Sequence, residues 1–198
     1  MIKTFKSTFL LFAVIGFSWT SITSCSDDDE VVIPKLSDSG AKTELASLTV
    51  PPNKKVFFDF KTNSVQDSAK SMVNLSGMYG SNLKNSRDDV YSMGYFDMEN
   101  TSVEKLTLKD ILAAKITATN EFSIDASSAG APAKGATWII YDFKNNHAVY
   151  PTPNRYIVMY KGKALNDMAE ELYVINAGKI TAAQGTADYN INVKKFIK

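Results

Sequence analysis

The chain of 198 residues contains only one cysteine, Cys25, and only one histidine, His147. A single cysteine allows no internal disulfide, so burial of apolar side chains must hold the fold together. The chain also lacks the Cys and His pairs of zinc sites, the HExxH helix of metalloproteases, a P-loop and a glycine-rich dinucleotide turn. Any Ser–His or Cys–His relay would depend on His147 alone. We therefore expect a protein that is not an enzyme.

The chain also lacks an excess of charge of one sign. It has 22 basic and 21 acidic residues, and its formal net charge is +1. This balance produces no basic field that would attract nucleic acid, so nucleic-acid partners are excluded. The neighbouring acids Asp88–Asp89 and Glu170–Glu171 would point to opposite faces of a strand, so neither pair is predicted to form a catalytic dyad.

The amino terminus carries the clearest targeting signal. Lys3 and Lys6 precede an apolar run from Phe9 to Trp19, which is shorter than the roughly 20 residues needed to span a membrane. Small residues then lead to Cys25, an order typical of a secretory signal. The sequence Ile22-Thr23-Ser24-Cys25 resembles the lipobox of bacterial lipoproteins. The resemblance implies cleavage of residues 1–24 and attachment of the chain to a membrane through lipid on Cys25.

The residues after Cys25 predict a tether and then one domain. The acidic run Asp27–Glu30 resembles the export tag of Bacteroidota surface lipoproteins, which implies an outer-membrane protein facing the cell surface; its alternative is a solvated polar spacer. Residues 25–50 show little apolar periodicity and are predicted to be a flexible tether. Residues 51–198, about 150 residues, suffice for a single domain with its own core.

Strand signals dominate residues 51–198 and predict an all-β, antiparallel domain with at most one or two short helices. Leu108, Ile111 and Leu112 fit helical spacing, whereas the segment 116–119 is predicted to be extended. Ala126–Gly135 is predicted to be a loop, and 164–171 either a helical turn or an excursion between strands. The strand segments, each bounded by turn residues, are Val56–Phe60, Thr137–Phe143, Tyr156–Tyr160, Leu172–Ile175 (closed by Asn176–Lys179) and Tyr189–Lys194.

One stretch carries a likeness to a known family. Residues 138–160 read WIIYDFKNNHAVYPTPNRYIVMY: a Trp and aromatic strand, a short loop, a proline, and an Asn-Arg-aromatic strand. This pattern resembles the C-terminal half of HmuY-like proteins, the haem-binding surface lipoproteins of Bacteroidota, and segments 55–65 and 77–82 are similar to the family as well. The resemblance implies an HmuY-like β domain that binds haem or a related porphyrin and passes haem to an outer-membrane transporter.

The chain departs from the family pattern at two places. Ser71–Leu75 lacks the Trp and Asp of the strand that usually follows the first hairpin. Family members hold haem iron between two His or two Met side chains, and one of these aligns near Phe143, which cannot ligate iron. The identity of the ligands therefore does not transfer from the family.

Candidate haem ligands must come from this chain's own His and Met residues, because His nitrogen and Met sulfur are common axial donors. The candidates are His147, Met168, Met98 and Met93. Each has an ordinary alternative: His147 as a surface turn residue, and the methionines as fillers of core gaps. Met159 alternates within a strand and is expected in the core.

Aromatic residues add a second hypothesis. Tyr79, Tyr95 and Tyr150 are candidates to line a ligand slot. The alternative function is that of a surface adhesion or interaction lipoprotein, which recognises protein or glycan through exposed aromatic side chains without haem.

Overall fold

The structure, a computed structural model, describes residues 33–198. The predicted signal peptide, Cys25 and the acidic run Asp27–Glu30 lie outside the described residues. Residues 33–198 form one unit with thirteen strands, two short 3-10 helices and one α-helix, which confirms the prediction of an all-β fold. No helix within this range is long and apolar enough to cross a membrane.

The elements follow one another closely along the chain. The α-helix is α1 (Leu108–Ala113), and the 3-10 helices are Asp38–Gly40 and Met78–Gly80. The strands are β1 (Ala41–Val50), β2 (Val56–Asp59), β3 (Ser64–Val65), β4 (Val73–Ser76), β5 (Asn82–Asn85), β6 (Ser92–Asp97), β7 (Thr117–Ala118), β8 (Glu121–Asp125), β9 (Thr137–Asp142), β10 (Ala148–Pro151), β11 (Arg155–Lys161), β12 (Glu171–Ala183) and β13 (Thr186–Ile197).

These strands form two sheets. The first sheet has the order β1-β13-β12-β11-β6-β7, and the second has the order β10-β9-β8-β5-β4-β2-β3. The prediction of antiparallel pairing holds except for β8 and β9, which run parallel. Parallel neighbours need a long crossover, and the predicted loop Ala126–Gly135 lies within the connection that provides it.

The two sheets pack face to face around an apolar core. The alternation along β13 places Tyr189, Ile191 and Val193 in this core, as the sequence predicts for the closing strand. Phe58 and Leu75 of the second sheet pack into the same cluster. Full burial of side chains of this size stabilises the fold by about 2 kcal/mol each.

A second apolar cluster covers the other face of the first sheet. Val158 and Val174 belong to it, together with Leu106 and Ile111 of the segment that contains α1. The first sheet is therefore buried on both faces over part of its area. This arrangement explains why β11 has buried residues at consecutive positions instead of simple alternation.

Helix α1 forms where the sequence predicts it. Thr107 and Asp110 form a capping box: Thr107 Oγ1 accepts from the backbone N–H of Asp110, and the Asp110 carboxylate accepts from the N–H of Thr107. Leu108 and Ile111 face the second cluster, which holds the short helix in place. The following segment is extended, as expected, and contains β7.

Two predicted boundaries were wrong. The tether was expected to reach residue 50, but residues 41–50 form β1, paired along its length with β13. Buried and exposed residues alternate only from Ala46 onward. The first half of this edge strand is exposed and mostly polar, so its sequence shows no strand pattern. β12 was expected to end at Asn176–Lys179, but it continues to Ala183. A β-bulge at Gly178 accommodates one extra residue, so pairing with β13 resumes at Lys179.

Candidate functional site

The four predicted haem ligands lie in four different surroundings. Met93 is buried in the core between the sheets. Met98 is half-buried and packs against the second cluster, on the other face of the first sheet. Met168 is exposed in the connection between β11 and β12, where its carbonyl accepts from Lys198 Nζ. His147 is exposed in the turn between β9 and β10. The structure therefore does not assemble these residues into one site.

The turn that carries His147 is held by local hydrogen bonds. The Asp142 carboxylate accepts from the N–H groups of Lys144 and Asn145, an Asx-type turn, and the Asn145 amide donates to the Tyr150 hydroxyl over 2.7 Å. Tyr150 thus supports the turn through its hydroxyl. These bonds arrange the loop so that the His147 ring projects beside β9.

His147 lies against a tyrosine. Its Nδ1 is 2.5 Å from the hydroxyl of Tyr141, and the two rings are 5.8 Å apart at 27°. Tyr141 in turn contacts Tyr79, with ring centroids 5.9 Å apart. We call Tyr79, Tyr141 and His147 the aromatic row. The hydrogen bond occupies Nδ1 and leaves Nε2 as the nitrogen available to a ligand.

A buried stack supports the row from behind. Tyr189 donates from its hydroxyl to the carbonyl of Tyr79. The Trp138 ring stacks on Tyr189 with centroids 4.9 Å apart at 9°, and its Nε1–H donates to the carbonyl of Ser81 over 2.7 Å. Burial raises the pKa of the Tyr189 phenol well above its ordinary value, so this residue stays a neutral donor.

A hollow of about 640 Å³ lies beside Tyr79. Three connections build it, namely those between β1 and β2, between β4 and β5, and between β12 and β13. Met78, which directly precedes Tyr79 of the aromatic row in the chain, lines this hollow and is 55% exposed. The residues that line this Met78 hollow are Pro52, Asn53, Lys54, Lys55, Ser76, Gly77, Met78 and Gly185.

The chain is tightly packed where these connections meet. A Cβ on Gly80 would lie 3.0 Å from the side chain of Val50, and one on Gly185 would lie 3.1 Å from Pro52. Both glycines also have positive φ, which other residues adopt only with strain. Glycine at these positions therefore lets the three connections meet and shape the hollow.

Backbone strain is concentrated at the same end. Eight non-glycine residues between 33 and 198 have positive φ, and five of them are asparagine, which tolerates this conformation. The other three are Tyr79, His147 and Gln184, at φ of 58°, 58° and 50°. Two belong to the aromatic row and the third precedes Gly185 in the hollow. Such strain tends to occur at ligand-binding sites.

The other candidate positions offer less to a ligand. The hollow beside Met93 has about 440 Å³, and the Met93 side chain is almost completely buried. Tyr95, expected to line a slot, packs against Phe122 and carries the guanidinium of Arg155 over its ring at 4.0 Å. Tyr95 therefore has a structural role.

The residues at the Met78 end include side chains of the types that haem requires. Within residues 33–198 no group of three or more His, Cys, Asp or Glu side chains is placed to hold a metal ion. Haem carries its own four nitrogens and needs only one or two axial donors, and this end offers Met78 sulfur and His147 Nε2. The exposed ammonium groups of Lys54 and Lys55 suit its carboxylates.

Sequence reasoning missed Met78. Its signal was present: Gly77-Met78-Tyr79-Gly80 places a large apolar side chain in a glycine-flanked turn, where a methionine has no core to fill. The lining lysines, Lys54 and Lys55, were missed because only the packing of distant connections brings them to Met78. Comparison of the chain with protein-family models, with curated proteins and with solved structures found no match.

Proposed function

We propose that this protein is a non-enzymatic lipoprotein of the outer membrane, anchored through lipid on Cys25 and facing the cell surface, that binds haem or a related porphyrin for uptake. The observation that supports this function most strongly is the composition of one end of the unit. There the exposed thioether of Met78 lines a hollow with two lysines, and Tyr79, the next residue, begins the row of rings that ends at the exposed imidazole of His147.

The residues at this end divide the binding of haem between them. The faces of Tyr79 and Tyr141 provide apolar contact for a flat macrocycle. Lys54 and Lys55 pair with its carboxylates at the mouth of the Met78 hollow. Bound haem would supply an iron centre that accepts a donor from the protein, and Met78 and His147 are the two residues that we propose as candidates for this donor.

Tyr141 acts as a positioning residue for His147. When Nε2 is the axial donor, Nδ1 keeps the proton and donates it to the Tyr141 oxygen, because a phenol both donates and accepts. A hydrogen bond of this kind orients a ligating imidazole and raises its basicity. The same bond holds the imidazole ring in place before haem arrives, which lowers the entropic cost of binding.

The exposure of the site suits a protein that transfers its ligand to a partner protein. His147 and Met78 both lie at the surface and not deep in the core. An outer-membrane haem transporter is the partner implied by the resemblance, and it would reach the ligand at this end without unfolding the sandwich.

The test is a haem titration of the soluble form that begins at Ser26 and so keeps the whole unit 33–198. Trp138 is the only tryptophan in this form and lies directly behind the aromatic row, so bound haem should quench its fluorescence. We expect saturable quenching, a Soret band shifted from that of free haem, and a Kd tighter than about 10 µM. An unshifted band without quenching would exclude the proposal.

Variants identify the ligands. We expect Met78→Leu and His147→Ala each to change the Soret band, and Tyr141→Phe to weaken binding through His147. Met168→Leu is the matched control, because it removes an exposed methionine remote from the aromatic row. Met93→Leu and Met98→Leu are expected to behave like this control. If the Soret band changed only in the Met168, Met93 or Met98 variants, haem would bind at a site other than the Met78 end.

The alternative function, an adhesion or interaction module without haem, is favoured by one observation. Phe143 is 53% exposed in the turn that also carries His147. With the aromatic row it offers rings that suit a protein or glycan partner. This alternative becomes the better proposal if haem does not bind and Phe143→Ser removes adhesion of whole cells.

A further inference from the structure

Another hollow lies on the face of the first sheet that points away from the core between the two sheets. It has about 290 Å³ and opens between the outer face of the first sheet and the segment 101–104. Most of its lining side chains are polar, and they come from five different parts of the chain. They include Ser102, Glu104, Asn154, Tyr156, Asn176 and Asn192. We call this the Asn192 hollow.

The β-bulge in β12 makes room for the central amide. Asn176 is the register partner of Asn192, and the bulge follows directly at Gly178. A Cβ on Gly178 would lie 2.8 Å from Asn192 Nδ2 and 3.0 Å from the carbonyl of Asn190. Only glycine therefore lets the Asn192 amide lie across this strand. Bulges commonly redirect side chains at functional sites.

The amides of the hollow have unused hydrogen-bonding capacity. Within residues 33–198 the side-chain amides of Asn192 and Asn154 form no hydrogen bond, although Asn192 is half-buried. Asn176 uses only Nδ2, which donates to the carbonyl of Arg155 over 2.9 Å. By contrast, Asn190 on the same face of β13 accepts from Ser47. These amides therefore have donors and acceptors free to bond with the polar groups of a ligand.

The charges at this site argue against an ionic ligand. Lys194, two residues after Asn192 on β13, donates to the carbonyls of Glu104 and Leu106 over 2.9 and 2.6 Å. No lysine or arginine lines the hollow, and Glu104 is its one ionised side chain. An anion would find no cationic partner here, and a cation would use Glu104 but leave the amide donors unpaired. A neutral ligand whose groups both donate and accept can use all of these side chains.

We propose that the Asn192 hollow binds a neutral sugar ring. Sugar hydroxyls match amides that have free donors and acceptors, and about 290 Å³ is near the lower limit of small-molecule sites, which suits one ring. Leu45, the register partner of Asn192 on β1, is 60% exposed and offers an apolar surface to the C–H face of the ring. This inference does not rest on haem binding.

The experiment is saturation-transfer NMR on the soluble form from Ser26, with free galactose, mannose and N-acetylglucosamine as separate probes. We expect transfer to at least one sugar. Asn192→Leu keeps the side-chain size and should weaken that binding at least about tenfold, because a site built for hydroxyl groups loses affinity when its polar partner is removed. Asn190→Leu is the matched control on the same face and should leave binding unchanged.

Two further variants keep the test decisive. Gly178→Ala should weaken sugar binding, because the added Cβ displaces the Asn192 amide. Trp138 fluorescence reports whether Asn192→Leu folds. If it does not, Asn192→Asp replaces it and should also weaken sugar binding. The haem titration of Asn192→Leu should match that of the wild type. Absence of transfer to all three sugars, or an equal effect of Asn192→Leu and Asn190→Leu, would overturn the proposal.

Discussion

The hydroxyl of Tyr173 donates a 2.7 Å hydrogen bond to Oε2 of Glu171, two residues earlier on β12. The same oxygen accepts from the hydroxyl of Tyr91 over 3.0 Å, and Oε1 accepts from Lys61 Nζ over 2.6 Å. Lys61 follows β2 of the second sheet, whereas the other three residues belong to the first sheet or lead into it. One buried carboxylate thus ties the two sheets together with a polar network.

Ionisation of Glu171 should make the stability of the fold depend on pH in the acid range. Its burial raises the pKa of the carboxyl, but the hydrogen bonds from Lys61, Tyr173 and Tyr91 outweigh burial and hold the pKa below its ordinary value of 4.5. A lowered pKa stabilises the fold above that ordinary value, and this stability is lost as the pH falls through the folded pKa. We expect Glu171→Gln to lower the free energy of unfolding by about 2 kcal/mol at neutral pH and to flatten the acid dependence.

Urea unfolding followed by Trp138 fluorescence, at neutral pH and in acid, measures both effects. Glu170→Gln is the matched control, because Glu170 is an exposed neighbour that pairs with Lys161 at the surface. Its removal should change stability by less than about 0.5 kcal/mol. Equal losses for the two variants would show that the Glu171 network contributes no more than a surface pair.

The buried tyrosines should make the fold sensitive to alkali. Burial raises the pKa of Tyr91, Tyr173 and Tyr189 above the ordinary value of 10.0, and the Glu171 charge adds to this for the first two. A raised pKa gives stability that is complete below the ordinary value and is lost as the pH rises beyond it. We expect unfolding to release these protons together.

Tyrosinate absorbance and circular dichroism, followed in one alkaline titration, test this expectation. The last rise in absorbance should coincide with loss of the β signal. Tyr173→Phe should reduce that last rise, whereas Tyr150→Phe, at the surface turn, should not. Complete ionisation of all tyrosines in a protein that keeps its native dichroism would contradict the prediction.

Arg155 should resist replacement even by lysine. Its guanidinium, 4% exposed, donates to both carboxylate oxygens of Asp97 over 2.7 and 2.9 Å and to the carbonyl of Thr137 over 2.8 Å. It also lies over the Tyr95 ring. An ammonium cannot reproduce this planar fork, so we expect Arg155→Lys to cost about 2–4 kcal/mol of unfolding free energy.

Denaturation of Arg155→Lys beside Arg87→Lys gives the comparison. Arg87 faces the Tyr91 ring at 5.9 Å and forms no side-chain hydrogen bond within residues 33–198, so its replacement should cost less than about 1 kcal/mol. Similar costs for both variants would mean that the bidentate pair with Asp97 contributes little.

Gly94 should be irreplaceable for steric reasons. A Cβ there would lie 2.7 Å from the Ile116 side chain and 2.8 Å from the carbonyl of Thr117, so Gly94→Ala must force β6 and β7 apart. We expect a loss of about 1–3 kcal/mol. Gly40→Ala, whose Cβ would meet nothing closer than 3.6 Å, should be tolerated, and thermal melting of the two variants compares them. Equal melting temperatures would contradict this prediction.

Much of the fold was predictable because its signals are local. The alternation of Tyr189, Ile191 and Val193 identifies β13, since a strand shows its buried face at every second residue. The spacing of Leu108, Ile111 and Leu112 indicates α1 within a few residues of chain. In each case the pattern and the structure depend on the same near neighbours.

The candidate sites were less predictable because distant segments form them. Met78 was not among the predicted ligands, and Phe143, which aligns near a family ligand, instead lies exposed in the turn that holds His147. In the sequence, Asn192 resembles any polar residue on the solvent face of a strand. Its role depends on Gly178 of another strand and on the segment 101–104.

By itself the sequence determined that this chain forms an all-β domain with at most one or two short helices, because side-chain alternation and helical spacing act over a few residues. It also determined which side chains are available for chemistry. Only the tertiary structure decided that Tyr79, which follows Met78, meets Tyr141 and His147 at one end, and that the predicted ligands Met93, Met98 and Met168 lie elsewhere. Those contacts depend on how two sheets pack and where their connections meet, and the pattern of any single segment does not encode this.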